Sequence, residues 1–135
     1  MDGYRDIHPW PYHWSRDIGK GILPRLTLVR FVYENADFWT YNNHVSLTPG
    51  PDLTPPERIV DIYWRDDRGD RLQLPPPIGD HITQLILADS DEYIRGMIWF
   101  GRIWTLADGW YPWTGPQGDF VDHIHIEFNE RINDE

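Results

Sequence analysis

The chain lacks cysteine, which excludes disulfide bonds, thiolate metal sites and a thiol nucleophile. It is also poor in lysine: Lys20 stands alone beside eleven arginines, against 22 acidic residues, and the net charge is −10. Such an acidic surface repels phosphate backbones, so we expect no nucleic-acid partner. No apolar stretch approaches the roughly 20 residues that a helix needs to cross a bilayer, so we expect no membrane span.

A secretory leader is also missing from the start of the chain. The opening "MDGYRDIHPWPYHW" has no basic segment followed by an apolar run. We therefore expect a soluble, cytoplasmic protein.

Aromatic residues, by contrast, are abundant, with eight Trp, seven Tyr and five Phe in 135 residues. So many rings must either fill a core or line a groove. The 12 prolines and 11 glycines interrupt the chain too often for long helices. This length and composition predict one domain.

Alternation of apolar and polar residues is clearest in "IVDIYWRDDRGDRLQL" (59–74), where Val60, Ile62 and Trp64 share one face. The Gly-containing turn at 66–70 makes this segment a predicted hairpin. A second hairpin is predicted over residues 25–47, with a turn at 34–37. "HITQLILA" (81–88) and "YIRGMIWFGRIWTL" (93–106) predict further strands, residues 48–58 a loop, and residues 107–119 a long turn region.

The predicted fold class is therefore all-β: one domain of short antiparallel strands and hairpins, arranged as a β-prism, a sandwich or a barrel. This domain is expected to span residues 25–135. An irregular N-terminal arm rich in proline and aromatic residues is expected over residues 1–24.

The segment "DHIHIEF" (122–128) carries the most specific spacing of polar residues. In a strand, His123, His125 and Glu127 lie on one face, opposite the isoleucines and the phenylalanine that face the core. The Cα atoms of the two histidines would be about 6.5 Å apart, and imidazoles at that spacing can converge on one zinc ion, with a third ligand from His13, Asp17 or His44. The alternative is that these residues form only the solvent-exposed face of a strand.

This terminal His-x-His resembles that of M23-type zinc peptidases, whose upstream His-x-x-x-Asp motif is similar to His13-Trp14-Ser15-Arg16-Asp17. The resemblance implies a zinc-dependent hydrolase. In it, His125 binds the metal together with His13 and Asp17, and His123 acts as a general base or oxyanion donor.

A second set of motifs lies between residues 59 and 118. The order runs from Ile59-Val60-Asp61-Ile62 through Asp67-Arg68-Gly69 and Asp91-Glu92-Tyr93-Ile94 to Gly115-Pro116-Gln117-Gly118. This order resembles the middle of jacalin-related lectins, which are β-prisms of three four-stranded sheets. The resemblance implies carbohydrate binding.

Residues 107–119 are the nearest physical equivalent of a sugar-binding loop in this chain. Its carboxylates accept hydrogen bonds from hydroxyls, its glycines expose backbone N–H groups, and its indole rings can stack on a pyranose. The predicted ligand-binding residues are Asp108, Gly109, Trp110, Trp113, Gly118 and Asp119. Alternatively, both tryptophans cover the end of the sheet.

We therefore predict a lectin-like module that binds a carbohydrate or another small polar ligand and needs no cofactor. The first alternative is the zinc-dependent hydrolase. The second is an acidic interaction protein, of the inhibitor or immunity type, for a basic protein partner, which the net charge of −10 favours. Whether the chain is an enzyme stays open at this point, and a homo-oligomer is compatible with the sequence.

Overall fold

The computed structural model describes residues 21–40 and 45–134. The expected N-terminal arm (1–24) lies outside these ranges except for residues 21–24, where the first helix begins. The helices are α1 (Ile22–Val32) and α2 (Pro76–Ser90). The strands are β1 (Ala36–Trp39), β2 (Ile59–Arg65), β3 (Arg71–Leu72), β4 (Ile94–Trp99), β5 (Arg102–Thr105), β6 (Gly109–Pro112) and β7 (Ile124–Phe128), and short 3₁₀ turns lie at Pro56–Arg58, Asp91–Tyr93 and Glu130–Asp134.

The seven strands form one antiparallel sheet in the order β1-β2-β7-β4-β5-β6, with β3 paired to β2. This confirms the expected single domain dominated by short antiparallel strands, and the two helices accompany the sheet. The described strands lie in one sheet, whereas a β-prism has three. Strand β7, which carries the His-x-His motif, lies between β2 and β4 near the centre of the sheet.

One face of the sheet packs against both helices and forms the main core. The strands contribute Phe38, Val60, Ile62, Met97, Trp99, Ile124, Ile126 and Phe128, and the helices Ile22, Leu26, Val29, Ile82 and Ile86. Gly79 lets α2 approach this face closely, because a Cβ there would overlap the buried ring of Trp99. The Trp99 indole N–H donates to Asp80 Oδ1 at 3.0 Å, which fixes the ring beneath the helix.

The predicted hairpin over residues 25–47 is wrong in its first half, which belongs to helix α1. Ile22, Leu26 and Val29 follow a helical spacing and are fully buried. The β-branched and aromatic residues of this segment favour a strand locally, but burial of this apolar stripe outweighs that preference. In the described part of its second half, Ala36–Trp39 forms a strand, which pairs with β2.

The strand predicted at residues 81–88 is also wrong, because these residues lie within helix α2. Pro75 precedes this helix, and two prolines stand at its first positions, where the missing N–H groups are not needed. Ile82 and Ile86 are buried one helical turn apart. The proline run at residues 75–77 therefore starts a helix.

The second face of the sheet is covered too, so the expectation of a solvent-exposed face is wrong. Ile98, Ile103 and Phe120 form a smaller apolar cluster there, packed against Leu47, Tyr111 and Trp113. The loop of residues 45–54 also lies on this face, where Leu47 and Thr48 contact β7. The predicted long turn at 107–119 is interrupted by β6, which pairs with β5 from Gly109 to Pro112. Neither helix of the described ranges has the length and apolar character needed to span a membrane.

Candidate functional site

Strand β7 presents its polar residues on the sheet face opposite the helices, as the alternation predicts. His125 is paired with Asp61 on β2 and with Ile98 on β4, and Glu127 lies two residues farther along the same face. Because β7 has a neighbour on each side and a loop above it, His125 is only 3% exposed and Glu127 is fully buried. These two residues form a buried polar centre under the 45–54 loop.

His125 lies between two carboxylates. Its Nδ1 is 3.1 Å from Asp61 Oδ1, and its Nε2 is 2.8 Å from Glu127 Oε2. Both ring nitrogens can donate only when the imidazole is protonated. Burial alone would lower the pKa of His125, but the hydrogen bonds and charges of Asp61 and Glu127 raise it to about 9. At neutral pH these contacts therefore favour the protonated, cationic form of the ring.

The Glu127 carboxylate also binds the 45–54 loop. It accepts hydrogen bonds from the backbone N–H of Leu47 at 2.6 Å and of Thr48 at 3.2 Å. The hydroxyls of Ser46 and Thr48 donate to the same carboxylate at 2.8 and 2.7 Å. Burial alone would raise the pKa of Glu127, but the hydrogen bond and charge of His125, together with the backbone N–H of Leu47, lower it to about 2. The charge is thus fully solvated by protein groups, and the loop is attached to the sheet at this point.

His123, the other histidine of the motif, has a different environment. Its ring stacks on Tyr63 with centroids 4.4 Å apart, and its Nδ1 is 2.8 Å from Asp122 Oδ1. Its Nε2 lies 3.8 Å from Asp61 Oδ1. Within residues 21–40 and 45–134, no three histidine or carboxylate side chains converge to hold a metal. The other expected zinc ligands, His13 and Asp17, lie outside these ranges, as does His44, so the zinc site stays a prediction.

The predicted sugar-binding residues are distributed over both ends of the β5–β6 hairpin. Asp108 and Gly109 lie at the turn between the two strands. Asp119 and Gly118 lie at the other end, where the Asp119 carbonyl accepts a hydrogen bond from Gly101 N at 2.6 Å. The four residues of β5 separate these ends by about 10 Å. One ligand the size of a monosaccharide cannot contact both groups.

The two predicted stacking residues are also apart. Trp110 packs against the main core on the helix side of the sheet, and the Arg102 guanidinium lies 4.9 Å from its ring. Trp113 packs against the smaller cluster on the other side. The alternative interpretation, in which these rings cover the sheet, describes their contacts better than a shared stacking platform does.

A pocket adjoins Asp108, and we call it the Arg95 pocket. Its volume is about 380 Å³, within the range of about 300–1,000 Å³ that is typical of small-molecule sites. It is lined by Pro49, Gly50, Ile94, Arg95, Thr105, Leu106, Ala107, Asp108, Tyr111 and Asn129. It therefore brings together the β4 strand, the β5–β6 turn and the 45–54 loop.

Arg95 reaches this pocket because of an irregularity in the sheet. The register between β4 and β7 shifts between Ile94 and Gly96, which leaves Arg95 outside the regular ladder. Such bulges redirect a side chain and are frequent beside functional sites. The sequence alternation of β4 does not reveal a register shift, so sequence reasoning missed Arg95 and, with it, Thr105 and Tyr111.

The Arg95 guanidinium is held by the 45–54 loop. Its Nε lies 3.4 Å from the Pro49 carbonyl oxygen and its Nη2 lies 3.5 Å from the Thr48 carbonyl oxygen. Gly50 makes this approach possible, because a Cβ there would stand 2.5 Å from Nη2. Asp108, which also lines the pocket, is exposed, and among residues 21–40 and 45–134 no donor binds its carboxylate. The pocket thus offers both unengaged donors and an unengaged acceptor.

Comparison of the chain with protein-family models, with curated proteins and with solved structures found no match.

Proposed function

We propose that this protein is a carbohydrate-binding module and that it binds one or two sugar rings in the Arg95 pocket. The observation that carries the proposal is that the Arg95 guanidinium and the Asp108 carboxylate line the same pocket of about 380 Å³. One of these residues, Asp108, is among those that the sequence singled out.

Hydroxyl groups both donate and accept hydrogen bonds, so a sugar site needs acceptors and donors together. Asp108 supplies carboxylate oxygens, while Arg95 and the Tyr111 phenol supply donors. The remaining wall is largely apolar, with Pro49 and Leu106 among its residues, and it suits the C–H face of a pyranose. This mixture of a few directed polar groups and an apolar surface supports a sugar over a wholly apolar ligand.

Rigid support for the pocket favours binding as well. Arg95 and Thr105 lie on strands of the sheet, and the loop that contributes Pro49 and Gly50 is attached through Thr48 to Glu127. A site that is already ordered loses less conformational entropy when a ligand binds.

The two alternatives have less support from the geometry. A zinc-dependent hydrolase would need His125 to release two carboxylates and a proton before it could bind metal. The argument for an acidic interaction protein is the net charge of −10.

The proposal can be tested by titrating ¹⁵N-labelled protein with a panel of mono- and disaccharides while its amide resonances are followed. We expect chemical-shift changes confined to residues around Ile94–Arg95 and Thr105–Tyr111. Asp108→Asn should weaken binding about tenfold, the equivalent of one hydrogen bond to a charged group.

Asp119→Asn is the matched control, because it makes the same chemical change at the other end of the hairpin. It should leave the affinity unchanged. A panel in which no sugar shifts the pocket resonances, or equal effects of the two substitutions, would refute the proposal.

A further inference from the structure

We infer that the sugar bound in the Arg95 pocket is an acidic one, with a carboxylate that pairs with the Arg95 guanidinium. This inference rests on the proposed function and specifies its ligand class. It begins from the charge of the lining: among residues 21–40 and 45–134, Arg95 is the one cationic residue that lines the pocket, and Asp108 is the one anionic residue.

Arg95 differs from other arginines of this acidic chain in its partners. Arg65 pairs with Asp37, Arg25 with Asp89 and Arg131 with Glu92. Arg95 instead contacts only backbone carbonyls among the described residues, at the long distances of 3.4 and 3.5 Å. A guanidinium that lines a pocket and pairs with no carboxylate of residues 21–40 and 45–134 can bind the carboxylate of a ligand.

The loop holds the guanidinium in place without neutralising it. The two carbonyl contacts engage Nε and Nη2, so the N–H groups of Nη1 and the second N–H of Nη2 remain for a ligand. Gly50 permits this position in two ways: it has no Cβ to collide with Nη2, and its φ of 151° is one that other residues rarely adopt. A planar guanidinium fixed in this way suits a planar carboxylate, which it can bind through two parallel hydrogen bonds.

The overall charge of −10 does not oppose such a ligand strongly. At physiological ionic strength the screening length is about 8 Å, so carboxylates elsewhere on the surface act weakly on an anion in the pocket. Contact with Arg95 is not screened in this way. Asp108, which also lines the pocket, would accept hydrogen bonds from the ring hydroxyls.

The experiment compares matched sugars by isothermal titration calorimetry: glucose, galactose and mannose, the uronic acid of each, and glucosamine as a cationic ring. We expect each uronic acid that binds to bind about tenfold more tightly than its neutral parent, the gain of one charge-assisted pair. Arg95→Met, which keeps an unbranched aliphatic side chain but removes the guanidinium, should abolish that preference. Arg102→Met is the control, because the Arg102 guanidinium lies on the Trp110 ring outside the pocket.

A second variant, Gly50→Ala, tests the same point if Arg95→Met does not fold. The added methyl group should displace the guanidinium and reduce the preference for the uronic acid. If neutral sugars bind as tightly as the uronic acids, if glucosamine binds best, or if both variants keep the preference, the inference is wrong while the proposed function stands. If no sugar in the set binds, the proposed function itself fails.

Discussion

Glu127 Oε2 accepts a hydrogen bond from His125 Nε2 at 2.8 Å, beneath the loop that Glu127 also binds. The two residues share a face of β7 because they are two apart in an extended strand. Asp61 continues the row on β2, where it contacts the other ring nitrogen of His125. The charges therefore alternate across the sheet, from the carboxylate of Asp61 to the imidazolium of His125 and the carboxylate of Glu127. This row connects β2 and β7 to the 45–54 loop, which forms one wall of the Arg95 pocket.

The substitution Glu127→Gln should destabilise the fold. The amide keeps the size of the side chain but removes the negative charge, so His125 loses one of its two carboxylates in a buried setting. Removal of one partner of a buried ion pair costs about 3–5 kcal/mol of unfolding free energy. Because hydrogen bonds to the loop are retained, we expect a decrease of about 3 kcal/mol. Urea denaturation followed by circular dichroism measures this change in the free energy of unfolding.

Glu130→Gln is the control for that substitution, since it removes the same charge from an exposed position three residues away. Its effect should stay within about 0.5 kcal/mol. Equal losses for the two variants would mean that the overall charge of the protein, and not the His125 contact, determines the result.

The same pair predicts how stability depends on pH. The pKa of His125 is raised from 6.5 to about 9, so its contribution is complete below pH 6.5 and is lost as the pH rises through about 9. The pKa of Glu127 is lowered from 4.5 to about 2, so its contribution is complete above pH 4.5 and is lost as the pH falls towards about 2. The full contribution of the pair is therefore present between pH 4.5 and 6.5.

A denaturation series from acidic to alkaline pH, run on the wild type and on Glu127→Gln, isolates this effect. The difference in unfolding free energy between the two proteins should be largest between pH 4.5 and 6.5 and should shrink at both extremes. Other titrating groups cancel in the difference. A difference that stays constant up to pH 10 would show that His125 is not held as a cation.

Gly79→Ala tests the packing of helix α2 on the sheet. In a helix this change normally stabilises a protein by about 1 kcal/mol, because alanine is the better helix former. Here the new methyl group would overlap the buried Trp99 ring, so we expect a destabilisation of about 1–3 kcal/mol instead. The sign of the change in unfolding free energy decides between the two effects. The altered packing should also change the near-ultraviolet circular dichroism signal of Trp99.

The sequence predicted those parts of the fold in which local pattern and tertiary burial agree. Strands β2 and β7 alternate regularly, and the side chains of Ile62 and Ile124 lie on the core face as expected. The helices were missed because their residues favour strands locally, while the spacing of Leu26 and Val29 that buries them is helical over only a few turns. Whether these residues form a helix or a strand depends on packing against α2 and the sheet. The sequence of one segment does not contain that information.

The candidate site was likewise predictable from the sequence only in part. The shared face of His125 and Glu127 follows from their spacing, but the contact with Asp61 depends on strand pairing 64 residues away. The sequence of residues 45–54, with two prolines and no periodicity, does not predict that this loop covers the second face of the sheet. The position of Arg95 results from a register shift between β4 and β7. Such a shift cannot be predicted from the alternation of apolar and polar residues in a strand.

Gly96→Ala should detach the 45–54 loop from Glu127. A Cβ at residue 96 would stand 2.7 Å from Thr48 Cβ and closer still to its Cγ2, so Thr48 would be pushed away from the carboxylate that it binds. We expect a destabilisation of about 1–3 kcal/mol and, because Pro49 and Gly50 follow Thr48, a weaker affinity of the Arg95 pocket for its ligand.

The Thr48→Ser substitution tests whether the collision with Thr48 causes this destabilisation. Serine lacks the colliding Cγ2 but keeps the hydroxyl that donates to Glu127, so the double variant should recover part of the stability lost in Gly96→Ala. Recovery should be incomplete, because the Cβ of residue 48 remains close to the new methyl group. The coupling energy from the two single variants and the double variant measures this contact directly. Strictly additive effects would show that the loop does not depend on the space that Gly96 leaves, and that its attachment to Glu127 is set elsewhere.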